Sequence, residues 1–253
     1  MLSASQQKFL TALQVKKYRQ KYRKFTVEGS KLAAELLGQN RAVPQAVYAT
    51  ERWAAAYAAL LAPFQPIFNT VTEAELKKIS ALQTPQEVLA VAEMPAPGPM
   101  PESGLAFFLD GIRDPGNLGA ILRIADWFGM PAVYCSPDCV DAFAPKVVQA
   151  SMGAILRLPL FEMELDDILS TYPQLPVLGA SMDGANALEA NFPTHGLIVI
   201  GNEGGGIRPA TERRLTSRLT IPRARGSRME SLNASVAAGI LAALAFSNLP
   251  SKK

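Results

Sequence analysis

The chain has 253 residues, 49% of them apolar, and a formal net charge of +3, which is enough length and apolar content for a sizeable core split between two domains. Cys135 and Cys139 are too few for a disulfide framework or a zinc site, and no charged start followed by an apolar h-region marks a secretory signal, so a cytoplasmic protein is expected. The longest apolar stretch, Val236 to Phe246, contains Gly239 and falls short of the roughly 20 residues that a bilayer-spanning helix needs, so no membrane span is expected.

Residues 5 to 24 pattern as a helix inside a strongly basic stretch. Residues 1 to 31 carry Lys8, Lys16, Lys17, Arg19, Lys21, Arg23, Lys24 and Lys31 against Glu28 alone, a local balance of +7. Tyr18, Tyr22 and Phe25 interleave these cations, a combination suited to a polyanion with unpaired bases to stack. The alternative is a solvated helix face with its aromatics turned to the core. A strand at FTVEG, a helix from Ser30 to Leu37, a strand at AVYAT, helices over 51 to 61 and 72 to 79, and an apolar EVLAVAEM strand complete a small α/β domain over residues 1 to 93. Residues 94 to 103 follow as a linker, because prolines at 95, 97, 99 and 101 lack amide donors and favour extended backbone.

Beyond the linker, residues 104 to 253 alternate strands, near 105–109, 132–135, 155–161, 176–180, 197–201 and 219–222, with helical patterns. That alternation predicts a mainly parallel sheet covered on both faces. In such a sheet, ligands bind beyond the carboxyl ends of the strands, so three segments at strand ends become the candidate site. The first is DGIRDPGNLGAILR, from Asp110 to Arg123, where Pro115 and Gly116 predict a turn and Asn117 a helix cap. On that helix Ile121, Ile124, Ala125 and Phe128 form the apolar stripe, whereas Arg123 lies off it and leans back over Gly119 toward the strand end. A guanidinium near a helix amino terminus makes a place for phosphate or a developing oxyanion; an ion pair with Asp110, Asp114 or Asp126 is the structural alternative.

The second segment is GNEGGGIRP, from Gly201 to Pro209, following the strand LIVIG. It lacks the G-x-G-x-x-G of a dinucleotide fingerprint and the G-K-[ST] of a P-loop, but its glycines let backbone approach a ligand with the Glu203 carboxylate beside it. The third, Ile221 to Ser235, brings Ser231, which predicts an N-cap, and Asn233 to the start of a helix ending near Phe246. Residues 208 to 228 add seven arginines against Glu212, a second basic zone of +6. His195 is the only histidine and stands at the amino end of its strand, so triad chemistry is disfavoured, and no motif supplies three or four convergent metal ligands. A metal-free reaction with a reactive cosubstrate fits best.

Taken together, NLGAILR (Asn117 to Arg123), GNEGGGI (Gly201 to Ile207), and Ile221 and Pro222 followed by SLNASV (Ser231 to Val236) resemble the three ordered motifs of the SpoU/TrmH RNA 2'-O-methyltransferases. The residues YRKFTVEGSKLAAELL and TPQEVLAV are similar to that family's ribosomal-protein-like substrate-binding domain, so the resemblance covers nearly the whole chain. It implies an α/β catalytic domain with a deep C-terminal trefoil knot, a bound S-adenosylmethionine (AdoMet), a homodimer and an RNA substrate, ribosomal RNA ahead of transfer RNA. By the same resemblance, cofactor-binding groups map to Ala180, Gly201, Ile221 and Leu232, and catalytic groups to Arg123, Asn117, Glu203, Ser231 and Asn233.

The family's proposed base maps to Arg123, but a guanidinium holds its proton in proteins, so an orienting, alkoxide-stabilising role is preferred. The loop from Arg223 to Arg228 is about two residues longer than in similar enzymes and more basic, which predicts an added RNA contact. A non-catalytic RNA-binding protein and a nicotinamide-dependent oxidoreductase are the competing classes; the missing fingerprint counts against the second.

Overall fold

The computed structural model describes residues 2–38, 41–96 and 98–247. Pro97 of the expected linker lies outside the described residues. Contacts divide the chain into two compact units, Met1–Ala96 with Phe143–Arg157, and Pro97–Ala142 with Leu158–Lys253.

The first unit is built on a four-stranded sheet of β1 (Lys24–Glu28), β2 (Pro44–Ala49), β3 (Phe68–Thr70) and β4 (Val88–Glu93) in the order β1-β4-β2-β3. β4 runs antiparallel to both neighbours, and β2 and β3 are parallel. The expected helix over 5 to 24 is two helices, Ala4–Ala12 and Lys16–Tyr22, the first opened by a Ser3 and Gln6 capping box. Leu10 and Leu13 from this region join Tyr48, Val71, Leu76, Ile79, Leu89 and Val91 in the core. Phe25 is fully buried and packs on Phe143 at 4.9 Å, so it is a core residue and not a surface aromatic. Strand alternation explains this: Phe25 shares a face of β1 with buried Val27, and burial of that ring outweighs its basic neighbourhood.

The second unit carries a fully parallel six-stranded sheet in the order β10-β8-β9-β5-β6-β7. Its strands are β5 (Gly104–Asp110), β6 (Val133–Cys135), β7 (Leu160–Glu162), β8 (Val177–Asn186), β9 (His195–Gly201) and β10 (Ser217–Thr220). The central strands are continuous apolar runs because both faces are covered. Ala106, Phe108, Tyr134, Phe161, Leu197 and Val199 turn to one face, where Leu165 and Ile168 of the helix Leu165–Thr171 close over them. The expected strand over 155–161 is displaced: Ala154–Arg157 is helical and only Leu160–Glu162 pairs, Tyr134 aligning with Phe161. A short apolar run reads the same in a buried helix and a buried strand, and Pro159 separates the two.

Two helices frame the site. Pro115–Trp127 starts at a proline, whose fixed φ suits the first helical position, so the cap falls on Asp114, which accepts from Asn117 N at 2.8 Å. Asn117 is therefore a first-turn residue and not the expected cap. Ala234–Ser247 packs against this helix and β9, and a Cβ built on Gly239 would lie 3.5 Å from Ile124 Cδ1, so the small residues serve close helix packing.

Candidate active site

Register brings the first two segments together before any side chain acts. Asp110 and Gly201 are partners at the carboxyl ends of adjacent parallel strands β5 and β9, so the chain leaves both strands side by side. Beyond Gly201 the glycine segment folds back on itself, with Asn202 and Gly206 exchanging two backbone hydrogen bonds of 2.9 Å. A Cβ on Gly201 would lie 2.3 Å from the Gly206 carbonyl carbon, so only glycine lets the loop close over its own strand end.

Both ends of this loop are tied to β5. Asn202 Nδ2 donates to Gly111 O at 2.6 Å. At the other end the fully buried Asp110 carboxylate accepts from Arg208 N at 2.7 Å, Arg208 Nε at 2.6 Å and Thr211 Oγ1 at 3.0 Å. The Arg208 guanidinium also reaches Asp138 and Glu164, each at 3.2 Å. These carboxylates outweigh the burial that would otherwise lower the arginine's pKa and hold it above its ordinary value.

At the tip of the loop, Glu203 gathers the three segments. Its carboxylate accepts from Asn117 Nδ2 at 2.8 Å and from the backbone N–H groups of Asp114 and Arg113 at 3.3 and 3.4 Å. Burial alone would raise its pKa, but these donors, Asn117 foremost, hold it below the ordinary carboxylate value. It stays ionised at neutral pH and remains an acceptor. Asn117 Oδ1 in turn accepts from Asn233 Nδ2 at 2.8 Å. The side chains of residues 233, 117 and 203, one from each segment, thus form a single hydrogen-bonded chain.

Asn233 also corrects the expected cap of the last helix. Its Oδ1 accepts from Ser235 N at 2.9 Å and Val236 N at 3.3 Å, so Asn233 is the N-cap and Ser231 lies outside the helix. Ser231 is instead part of the wall of a cavity of about 730 Å³ at the carboxyl ends of β8, β9 and β10. All four expected cofactor residues, Ala180, Gly201, Ile221 and Leu232, line this cavity, as does Glu203.

Arg123 does not line it. The residue is exposed, has no hydrogen-bond or ion-pair partner among the described residues, and lies one helical turn before Trp127, which is 84% exposed. Of the aspartates that could have paired with it, Asp110 is held by Arg208 and Thr211, and Asp114 caps the helix.

Sequence reasoning missed Asp110 and Arg208 as structural partners. The available signal was a lone carboxylate ending the apolar run FFLD, which burial obliges to find a donor. The second basic zone is also smaller than its arginine count suggests. Arg208 is committed to Asp110, Arg214 pairs with Asp166 at 2.6 Å, and Arg218 pairs with Glu212 and Asp183 at 2.8 and 3.2 Å. Arg225 and Arg228 stay exposed in the loop, while Arg223 donates to Met229 O at 3.0 Å.

The lining suits a nucleoside-bearing sulfonium such as AdoMet. The volume falls in the range of small-molecule sites, Ile200, Leu215, Leu219 and Ile221 give an apolar surface for a ring, and exposed backbone at Gly201 to Gly206 offers hydrogen bonds. Glu203, Glu212 and Glu230 against Arg223 leave the wall net negative, which favours a cationic ligand.

Comparison with known proteins agrees with this geometry. Residues 104–243 match the SpoU rRNA Methylase family, and residues 5–90 match the MRM3-like substrate binding domain. The chain is 30% identical over 177 residues to the 23S rRNA (guanosine(2553)-2'-O)-methyltransferase RlmP of Bacillus subtilis, covering 69% of this chain and 67% of that one. A solved TrmH-family protein from Porphyromonas gingivalis is 40% identical and superposes with a TM-score of 0.84, covering 97% of this chain and 98% of that one. An AdoMet-bound rRNA methyltransferase from Sinorhizobium meliloti is 26% identical with a TM-score of 0.85, over 99% and 98% of the two chains. The chain spans about two thirds or less of the length of the curated relatives it matches, for example 62% and 54%.

Proposed function

The chain belongs to the SpoU rRNA methylase family, and on that premise we propose that it transfers a methyl group from AdoMet to a ribose 2'-hydroxyl of ribosomal RNA. The observation that carries this reading is the hydrogen-bonded chain from Asn233 through Asn117 to Glu203, which gathers all three motif segments beside the cavity. Ribosomal RNA is favoured over transfer RNA because the RlmP and S. meliloti relatives are rRNA methyltransferases by name. The deep trefoil knot belongs to the same reading.

Bound in the cavity, AdoMet would supply a methyl group activated by its sulfonium sulfur. Ala180, Gly201, Ile221 and Leu232 would hold it, largely through backbone groups, and the apolar part of the wall would keep competing water away. A ribose hydroxyl is a poor nucleophile, so the protein's task is to align it and favour loss of its proton. Glu203, kept ionised, fixes the Asn117 amide, and Asn117 fixes Asn233. Ser231 and Asn233 position the nucleotide. Arg123 orients the ribose and its phosphate with a planar fork of donors and stabilises the developing alkoxide.

Arg123 stands outside the cavity of a single chain, and the reading therefore includes a homodimer with each site near the subunit interface. Supporting it, the packed helices Pro115–Trp127 and Ala234–Ser247 expose Trp127 at 84%, Phe246 at 53% and Val236 at 49%. Sedimentation equilibrium should return twice the 27.2 kDa chain mass, and a monomer at micromolar concentration would remove the dimer from the account. Cytoplasmic localisation is also part of the proposal. Its support is that Cys135 and Cys139 are both free thiols; recovery in a membrane pellet after fractionation would contradict it.

The exposed Arg225 and Arg228 of the lengthened loop would add phosphate contacts. Reversing both to glutamate should weaken RNA binding and lower the slope of log affinity against log salt by about two phosphates' worth. An unchanged slope would remove this loop from the RNA interface. Calorimetry with AdoMet separates the enzyme from a non-catalytic RNA-binding protein: heat of binding that disappears on Gly201→Val supports the enzyme, and absence of binding contradicts it.

A further inference from the structure

The helix Lys16–Tyr22 turns one cation inward and two tyrosines outward, the reverse of an ordinary amphipathic helix. Arg19 is 3% exposed and donates through Nη1 to Leu13 O at 2.8 Å. Tyr18 and Tyr22 are 37% and 40% exposed, and Val15 at 51% extends the same stripe at i, i+3 and i+7. The two rings lie nearly parallel, 15° between planes with centroids 6.3 Å apart, and Tyr22 meets the buried core through the edge of Phe9 at 5.2 Å. Phe9, Tyr22 and Tyr18 form a ladder of rings that begins at the core and runs to the surface. No further ring flanks Tyr18 among the described residues.

Three exposed cations flank this ladder. Lys17, Lys21 and Arg23 are exposed and make no ion pair among the described residues, and Lys21 Nζ stands 5.6 Å from the Tyr22 ring centroid. Arg23 closes the helix in the left-handed region at φ 51°, which turns the chain sharply and starts β1 at Lys24. Flat aromatic faces offer stacking to any base, and cations a few ångströms away neutralise the phosphates that link bases. A base paired within a duplex has both faces occupied by its neighbours, so this chemistry selects an unpaired one.

We propose that Tyr18 and Tyr22 are a stacking platform for unpaired bases of the RNA, with Lys17, Lys21 and Arg23 holding the adjoining phosphates. The proposal rests on the RNA-substrate reading above and adds to it the conformation of RNA that this unit takes. Phe25, though it stands three residues beyond Tyr22, is excluded by its burial.

The test uses the full chain and two probes, a single-stranded oligoribonucleotide carrying 2-aminopurine and the blunt duplex of the same sequence. The wild-type protein should bind the single strand more tightly than the duplex and quench the 2-aminopurine fluorescence. Tyr18→Leu with Tyr22→Leu, which keeps apolar bulk, should abolish the quenching and weaken binding about tenfold for each base lost from the stack, with the salt slope unchanged. Tyr18→Phe with Tyr22→Phe should restore both, because the ring and not the hydroxyl acts. Lys17→Ala with Lys21→Ala should instead reduce the salt slope while quenching of the bound complex persists. Full quenching and affinity in the leucine variant would overturn the platform, and would leave the stripe as a protein contact. If the leucine variant binds normally while the chain still methylates ribosomal RNA, the platform alone fails. If the wild type binds neither probe and methylates nothing, the RNA reading fails with it.

Discussion

Arg123→Ala should lower methyl transfer to RNA by at least about a hundredfold, while AdoMet affinity and thermal stability should stay at wild-type values. The size follows from the cost of removing a donor aimed at a developing oxyanion. The selectivity follows from the residue's surroundings. Arg123 is exposed, lies off the buried stripe of Leu118, Ile121, Leu122 and Ala125, and its side chain makes no ion pair or hydrogen bond among the described residues, so its removal opens no hole and strands no described carboxylate. It does not touch the cavity that would hold the cofactor. Arg123→Lys should recover only a small part of the rate, since a lysine supplies the charge but not the planar pair of donors. Single-turnover transfer of labelled methyl, with calorimetry for AdoMet, measures both effects. Near-normal turnover in the alanine variant would sink the assigned role.

Arg208→Ala has the largest expected effect on stability. Asp110 is completely buried at the end of β5 and is satisfied by two groups of Arg208 and by Thr211. Truncating Arg208 takes away the cation at 2.6 Å from that carboxylate and removes the guanidinium that also reaches Asp138 and Glu164. Breaking a buried pair in this way costs about 3–5 kcal/mol, because the remaining charge is uncompensated. In a protein of this size that lowers Tm by roughly 10 °C or more. The same clasp closes the glycine loop that carries Glu203, so AdoMet affinity should fall together with stability. Replacing both partners, Asp110→Leu with Arg208→Met, should restore much of the lost stability without restoring cofactor affinity, since the orphaned charge is gone but the clasp is not remade. Thermal denaturation decides between these outcomes; a Tm within a degree or two of wild type for Arg208→Ala would show that the pair is dispensable.

What could be read from the residues was set by the range over which each signal acts. The strands LAFFL and LIVIG and the segments that follow them were legible because a parallel strand buried on both faces leaves a continuous apolar run, and glycines mark where backbone must fold tightly. The convergence of Asn117, Glu203 and Asn233 was legible as three strand-end segments. Which of their atoms bond to which depended on the register of β5 with β9, and pairing across about ninety residues leaves no local pattern. Caps were misplaced by two or three positions, at Ser231 and at Asn117, because Asp114, Asn117, Ser231 and Asn233 are all good cap residues and only the first helical dihedral decides. The fate of the arginines was hidden for a similar reason. Arg208, Arg214 and Arg218 look like their neighbours Arg225 and Arg228 in a basic zone, yet tertiary structure supplies the first three with carboxylates. Phe25 and Tyr22 stand three residues apart in one basic aromatic stretch, and only the switch from helix to strand at Arg23 sends one inward and leaves the other at the surface.

The central claim is methyl transfer to a ribose 2'-hydroxyl of ribosomal RNA, and its most direct test is a map of 2'-O-methyl positions in ribosomal RNA from cells with and without this protein. The account predicts that a defined position loses its ribose methyl in the absence of the protein and regains it with the wild-type chain but not with Arg123→Ala. An unchanged methylation map, or restoration by the alanine variant, would contradict it.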